Sequence, residues 1–323
     1  MRPDVLLDVR GLSIGFSTEQ GPVRVVEDVS FAIAPGETMG LVGESGCGKS
    51  VTAQTIMRLL PSPPSRIEAG NIFFDGGDLA ALPEKKMQGV RGDRIGMVFQ
   101  EPMTSLNPTQ RIGAQIAEPL LLHRGLSYAE AKAEVIRVLS LVGIGNAGRR
   151  LDQYPHELSG GLRQRVMIAM AIICKPKLLI ADEPTTALDV TIQAQIMSLL
   201  QSLQQELSLA ILLITHDLGM VAELCRSVSV MYAGRIVEQG EAAMVLRRPR
   251  HPYTAGLLNS SPRRAAKGER LPSIPGLVPP PGKRGTGCSF ADRCPRVLDR
   301  CRTETPPLLP IDGRAAACWN PVP

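Results

Sequence analysis

The sequence predicts an α/β fold built around a parallel sheet, and three observations carry that reading. Leu178–Ala181 is a short, wholly apolar run that reads as a buried strand and ends in Asp182-Glu183. Thr38–Val42 is a second apolar strand, followed at once by the octet Gly43-Glu44-Ser45-Gly46-Cys47-Gly48-Lys49-Ser50. Between them, from about Thr109 to Ile173, the apolar spacing turns helical, as in Tyr128–Val142 with Glu130, Lys132, Glu134 and Arg137 interleaved. Parallel strands deliver their last residues to the carboxyl edge of the sheet, where α/β folds bind ligands.

The octet is G-x-x-x-x-G-K-S in its required context, strand before and helix after. Its glycines let backbone N–H groups wrap phosphates, and the helix opening near Lys49 turns its positive dipole end toward them. Lys49 adds a point charge for the β- and γ-phosphates, and the Ser50 hydroxyl can ligate Mg²⁺. Cys47 reads as a small filler of this loop. Asp182 and Glu183 are costly to place at a strand end without a use. One carboxylate can serve a metal and the other a water, although the pair alone is equally compatible with solvated strand-end acids. Pro184 stops the strand, and Thr185–Asp189 form a polar turn before a helix opening near Val190.

Other elements follow in order. Residues 5–16 and 23–33 are strand-like, the second broken by Glu27-Asp28; Asn71–Asp75 and Ile95–Phe99 are further strands, and the helix after the phosphate loop extends to about Leu60. Gln100 ends one strand and His216 ends another, Leu209–Thr215. Each alone is an ordinary polar terminus, yet an amide oxygen can meet Mg²⁺ and an imidazole can bridge a phosphate and a water. Ser159 can cap a helix over Val166–Ile173, leaving the Gly160 and Gly161 N–H groups as a second anion-binding terminus. Ser227–Met231 and Arg235–Gln239 close the body.

Composition bounds the rest. The chain has 323 residues, 44% hydrophobic and 21% charged, enough for a sizeable core. Aromatics at 3% argue against a stacking-rich single-strand nucleic-acid binder. No apolar stretch follows Met1-Arg-Pro-Asp-Val as a signal peptide requires. The longest apolar run, Val166–Cys174, is far short of the roughly 18 residues of a membrane span. A cytoplasmic, soluble chain is expected. The net charge of +5 is uneven: residues 1–246 hold 22 basic and 26 acidic side chains, residues 247–302 hold 13 and 3. A basic tail suits an anionic surface, a solvated linker or nucleic acid, the last being least favoured without aromatic interleaving. Residues 259–285 are a Pro-rich basic linker with six prolines between Pro262 and Pro281. Of seven cysteines, Cys288, Cys294, Cys301 and Cys318 crowd the end of the chain. In a reducing compartment such a cluster points to a metal or iron–sulfur site before disulfides.

Taken together, the phosphate loop, Gln100, Leu158-Ser159-Gly160-Gly161, Asp182-Glu183, Asp189 and His216, in this order, resemble the ATP-binding subunits of ABC transporters. The match covers about residues 5–258. Gln100–Pro108, His251–Thr254 and the Pro- and Cys-bearing tail are similar to the dipeptide and oligopeptide importer subgroup. The resemblance implies a RecA-like P-loop ATPase core with an antiparallel β subdomain and a helical insert at 109–173, then a Cys-rich module at 286–323. It implies that Gly43–Val51 bind ATP phosphates and that Phe16 stacks on adenine. It gives Mg²⁺ to Ser50, Gln100 and Asp182, the general base to Glu183 and γ-phosphate contact to His216. It further implies that Ser159, Gly160 and Gly161 complete the ATP site of a partner subunit, with Asp189 sensing closure, and that residues 101–108 meet a membrane subunit. Leu162 and Val51 depart from commoner residues without removing a chemical group.

The implied partners are a paralogous ATPase subunit in a heterodimer, two membrane permeases and, indirectly, a substrate-binding protein, with the chain peripheral on the cytoplasmic face of the plasma membrane and no nucleic acid. The implied occupant of the four tail cysteines is a 4Fe–4S cluster, with zinc as runner-up because no tight C-x₂₋₄-C pair is present. A nickel or glutathione importer ATPase is the alternative within the fold. A soluble ABC protein acting on DNA or ribosomes fits less well, since each motif occurs once, and an iron–sulfur redox protein lacks a second cofactor.

Overall fold

The computed structural model describes residues 4–101, 105–186, 188–260 and 273–323. The chain forms two compact units: Met1–Ala34, Thr38–Ala81 and Leu213–Pro323 make one, and Pro35–Glu37 with Leu82–Leu212 make the other.

The first unit opens with long strands β1 (Leu7–Thr18) and β2 (Gly21–Ile33), then β3 (Thr38–Val42), helix α1 (Lys49–Ile56), β4 (Ser65–Phe74) and β5 (Gly77–Asp78). Strands β2-β1-β4-β5 form a four-stranded sheet, antiparallel at each pairing. Glu27-Asp28 do not break β2 as expected. Asp28 takes a left-handed φ of 51° and its amide donates to Ser13 Oγ at 3.1 Å, so the polar pair is absorbed by a bulge. Helix α1 ends at Ile56, short of Leu60.

The second unit contains α2 (Glu84–Gln88), β6 (Ile95–Val98), α3 (Ile112–Arg124), α4 (Tyr128–Leu141), α5 (Ala147–Arg150), α6 (Gly160–Ile172), β7 (Leu178–Asp182) and α7 (Val190–Leu207). Strands β6 and β7 pair in parallel from Ile95↔Leu178 to Val98↔Ala181, so both end at the same edge. The expected helical insert is present. A capping box between Ser127 and Glu130 starts α4, which packs with α3 and α6. Helix α6 begins at Gly160 and not at Val166, because Ser159 supplies the cap this far upstream.

Strand β8 (Ala210–Thr215) starts in the second unit and ends in the first. There follow α8 (Leu218–Leu224), β9 (Ser227–Tyr232), β10 (Arg235–Glu241), α9 (Ala242–Arg247), α10 (Pro252–Asn259), α11 (Asp299–Thr303), β11 (Leu309–Ile311) and β12 (Arg314–Ala316). In the first unit the strand order is β11-β12-β10-β9-β3-β8, with β3 parallel to β9 and the β9, β10, β12 and β11 pairings antiparallel. Every residue of β3, β7 and β8 is buried, which explains their unbroken apolar sequences.

The end of the chain packs within the first unit. Residues 261–272 of the expected linker lie outside the described residues, but Ile274 and Val278 pack against a core cluster that includes Tyr232, Val245, Leu246, Tyr253 and Phe290. Strand β12 pairs with β10 through Glu238↔Ala316 and Gln239↔Ala315. The reason is apolar: Phe290, 2% exposed, finds its burial among the rings of Tyr232 and Tyr253. Among the described residues no helix is long and apolar enough to cross a membrane.

Candidate nucleotide site

In the first unit, the phosphate loop leaves β3 and enters α1 as anticipated. Gly43 has φ 154°, and a Cβ there would lie 2.1 Å from the Met231 carbonyl oxygen, so the first loop position admits only glycine. Helix α1 has Gly48 at its start and no side-chain cap, leaving the phosphate end open to an anion. Lys49 is 4% exposed and its Nζ donates to the carbonyls of Gly43 at 2.8 Å and Glu44 at 3.0 Å. Its ammonium is thereby held inside the loop that it serves. Cys47 is fully buried, with Sγ 3.9 Å from Lys49 Nζ, and burial pushes its thiol pKa up. Ser45, Gly46, Ser50 and Val51 occupy the loop and first turn.

Phe16 is half-buried near the end of β1, opposite Val23 of β2 and Ser65 of β4. His216 is exposed immediately beyond β8. The next residue, Asp217, caps α8 by accepting from Gly219 N at 2.7 Å.

The second unit brings Gln100 and Glu183 together. Gln100 Nε2 donates to Glu183 Oε2 at 3.2 Å, and Thr186 Oγ1 donates to the same oxygen at 2.8 Å. Glu183 is 8% exposed and sits at a left-handed φ of 46°, which an L-residue other than glycine adopts only under constraint. Asp182, 3% exposed, is the last residue of β7. Gln100 donates through its amide nitrogen, which leaves Oε1 as the acceptor end of the side chain. That oxygen and the Asp182 carboxylate, both in this unit, are donors of the type that Mg²⁺ prefers.

Ser159 caps α6, accepting from Leu162 N at 3.4 Å. A Cβ on Gly161 would meet Ile192 Cγ2 of α7 at 2.9 Å, so the Ser159-Gly160-Gly161 turn packs beside the helix that Asp189 begins. Asp189 itself accepts from Ile192 N at 2.9 Å, giving it a capping role that the sequence reading did not assign. Residues 102–104 of the expected membrane-subunit contact lie outside the described residues.

Three residues that contact candidate site residues went unforeseen. Tyr253 Oη accepts from the Glu44 amide at 2.8 Å, and Arg293 donates to both Glu44 carboxylate oxygens at 2.7 and 2.9 Å. Thr186 is the third, on Glu183. Thr186 could be suspected from its place three residues after the acid. Nothing in the sequence connects Arg293 to Glu44.

The four tail cysteines are free thiols, and Cys301 is buried. Among the described residues no set of three or more His, Cys, Asp or Glu side chains is arranged to hold a metal ion. The thiols nevertheless lie within electrostatic reach of one another. Burial foremost, and then its three companions, push Cys318 up to about 11, with Asn320 N–H opposing. Burial also raises Cys288 and Cys294. The amides of Arg296 and Asn320 donate to Cys294 Sγ and Cys318 Sγ, each at 3.4 Å. N–H donors to sulfur are the kind of contact that tunes a thiolate ligand, although the sulfurs are not drawn into a ligand shell.

A loop of this shape at the edge of buried strands defines a nucleotide-binding α/β protein. The family described as "ABC transporter" matches residues 26–186, and "Oligopeptide/dipeptide transporter, C-terminal region" matches residues 237–301. The chain is 50% identical over 319 residues to the oligopeptide transport ATP-binding protein OppD of Salmonella typhimurium, covering 99% of this chain and 95% of that one. It is 50% identical over 318 residues to the dipeptide transport ATP-binding protein DppD of Escherichia coli, covering 98% and 97%. The probable peptide ABC transporter ATP-binding protein y4tR of Sinorhizobium fredii is 53% identical over 321 residues, covering 99% and 96%. The dimeric bacterial ABC transporter cassette MJ0796 superposes with a TM-score of 0.65 at 26% identity, over 73% of this chain and 98% of that one. The chain belongs to the ATP-binding proteins of ABC transporters, in the group bearing the oligopeptide/dipeptide C-terminal region.

Proposed function

We propose that this chain hydrolyses ATP to drive import of di- and oligopeptides through a membrane ABC transporter. Family membership along the whole chain supports the class. The observation that carries the chemistry is Glu183, a buried carboxylate oriented by Gln100 and Thr186. In this reading Lys49 and the loop amides of Gly43–Val51 bind the phosphates, Phe16 stacks on adenine and His216 contacts the γ-phosphate. Ser50, Gln100 and Asp182 hold Mg²⁺, which supplies charge neutralisation at the phosphates. Glu183 accepts the proton of the attacking water, and Gln100 and Thr186 aim its oxygen.

Ser159, Gly160 and Gly161 serve the ATP of a partner ATPase, taken to be a paralogue, and Asp189 reports its closure. Two permeases bind the pair on the cytoplasmic face of the membrane, through a surface that includes residues 101–108, and a binding protein delivers the peptide. The domain scheme proposed is an ATPase domain at 1–258, linker at 259–285 and Cys module at 286–323. Cys288, Cys294, Cys301 and Cys318 hold a 4Fe–4S cluster, with zinc as the competing occupant. The group would cross-link the end of the chain.

The test is Glu183→Gln in the assembled transporter. It keeps the shape and the hydrogen-bonding oxygen but removes the base. Hydrolysis should fall by about 10²–10⁴-fold with ATP binding retained. Turnover at the wild-type rate would rule out Glu183 as the base.

A further inference from the structure

Glu44 is the residue at which the phosphate loop is gripped from outside. Its amide donates to Tyr253 Oη and its carboxylate takes both arms of Arg293. Its carbonyl accepts from Lys49. The Arg293 side chain is 6% exposed and that of Glu44 is 30% exposed. The remaining Arg293 donors are also engaged: Nε with the Pro275 carbonyl at 2.8 Å, Nη1 with Tyr232 Oη at 3.3 Å, Nη2 with the Ile274 carbonyl at 3.4 Å. A planar guanidinium with its donors spoken for cannot swing, so the fork fixes the direction of the carboxylate as well as its charge.

The Tyr253 grip is equally rigid. The Tyr253 ring is fully buried, 4.6 Å from that of Tyr232 and 5.4 Å from that of Phe290. Phe290 and Arg293 bracket one short helical turn, Ala291–Arg293, and Cys294 follows directly. The Cys-rich end of the chain therefore reaches the loop through two neighbouring side chains. Around Glu44 the loop is flexible by composition, with Gly43, Gly46 and Gly48 all at positive φ. Such a backbone has to be held if its N–H groups are to converge on a phosphate.

We propose that Arg293 is a positioning residue for the phosphate loop: by clamping Glu44 from the Cys-rich tail, it holds the loop amides in their phosphate-binding shape, so the folded tail sets the affinity for ATP. The inference rests on the ATP reading above. Linkage makes it reciprocal, so bound ATP stabilises the tail to the same degree.

The experiment measures MgATP binding to the full-length chain by calorimetry and ATP turnover in the assembled transporter. Wild-type chain is the first control: if it binds no ATP, the ATP reading itself falls. Given wild-type binding, Arg293→Met and Glu44→Gln each raise Kd on the order of tenfold, and the double variant is no worse than either. KM for ATP rises with kcat unchanged, and Arg293→Lys, which keeps the charge without the fork, recovers part of the loss. Arg302→Met alters an exposed ion pair with Asp292 in the same tail and leaves affinity unchanged. In hydrogen exchange, ATP slows the amides of residues 286–296 in the wild type but not in Arg293→Met. Wild-type affinity in Arg293→Met, or full additivity in the double variant, overturns the proposal. If Arg293→Met does not fold, Glu44→Gln decides, because it leaves the other Arg293 contacts in place; wild-type affinity there overturns it too.

Discussion

At Glu183 the chain accepts local backbone cost in order to aim one oxygen. A non-glycine residue at φ 46° costs about 1–3 kcal/mol, and it persists because neighbours over-determine it. Thr186 and Gln100 are two of those neighbours. Thr186→Val keeps the shape and removes one donor to the carboxylate. A hydrogen bond to a charged group contributes about 1.5–3 kcal/mol, so kcat should fall on the order of tenfold while KM for ATP stays constant. An unchanged kcat in steady-state assays would mean that Thr186 does not aim the base. The acid pair was visible in sequence because a strand end and its neighbours are contiguous. The left-handed turn at Glu183 was not, since Glu is an unusual residue for that region and only the folded surroundings impose it.

Among the elements, the entry to α10 shows how one helix start is buried. His251 caps α10 by accepting from Tyr253 N at 3.0 Å, and its own amide donates to Glu238 at 2.9 Å. Burial holds the imidazole pKa at about 3, far below its ordinary value. A depressed folded pKa means that the unfolded chain takes up the proton first. This stability is present above about pH 6.5 and is lost as pH falls toward 3. Burial raises the Glu238 carboxyl, so its contribution has the opposite sign: it is kept at low pH and lost as pH rises through the folded pKa. His251→Asn retains a capping acceptor without a titrating group. Thermal unfolding at pH 7 and pH 5 should then show a Tm difference smaller by about 4 °C than in the wild type; an equal difference would reject the assignment. Elements of this kind divide sharply in legibility. Ser159 at the start of α6 follows from cap chemistry within three residues, and the same local rule, not applied to Asp189, accounts for its cap on α7. The bulged pairing of β1 with β2 depends on partners across a sheet, which periodicity does not reveal.

For the whole molecule, the cysteine tail links sequence-distant parts. Arg293 and Glu44 lie 249 positions apart, and no local pattern predicts such a pair. The four thiols were legible as a set because spacing is a sequence property; their burial was not. Cys318 at about 11 stays protonated near neutrality, so a thiolate-ligated centre must displace protons when it forms. Its stability should therefore fall as pH drops, and Cys318→Ser should lower bound iron or zinc in protein purified without oxygen. Metal analysis together with absorbance near 400 nm distinguishes a 4Fe–4S cluster, zinc and bare thiols; wild-type metal content in Cys318→Ser would remove that residue from the ligand set. The pairing of β12 with β10 carries a separate consequence. It gives the sheet a rim three residues long, Leu309–Ile311, with Pro310 unable to donate a backbone hydrogen bond. A chain cut after Asn259 would instead end its sheet on β10, a longer strand offering an open row of backbone donors and acceptors. Such a rim recruits strands from other molecules, so the shortened chain should aggregate in light scattering where the full chain does not.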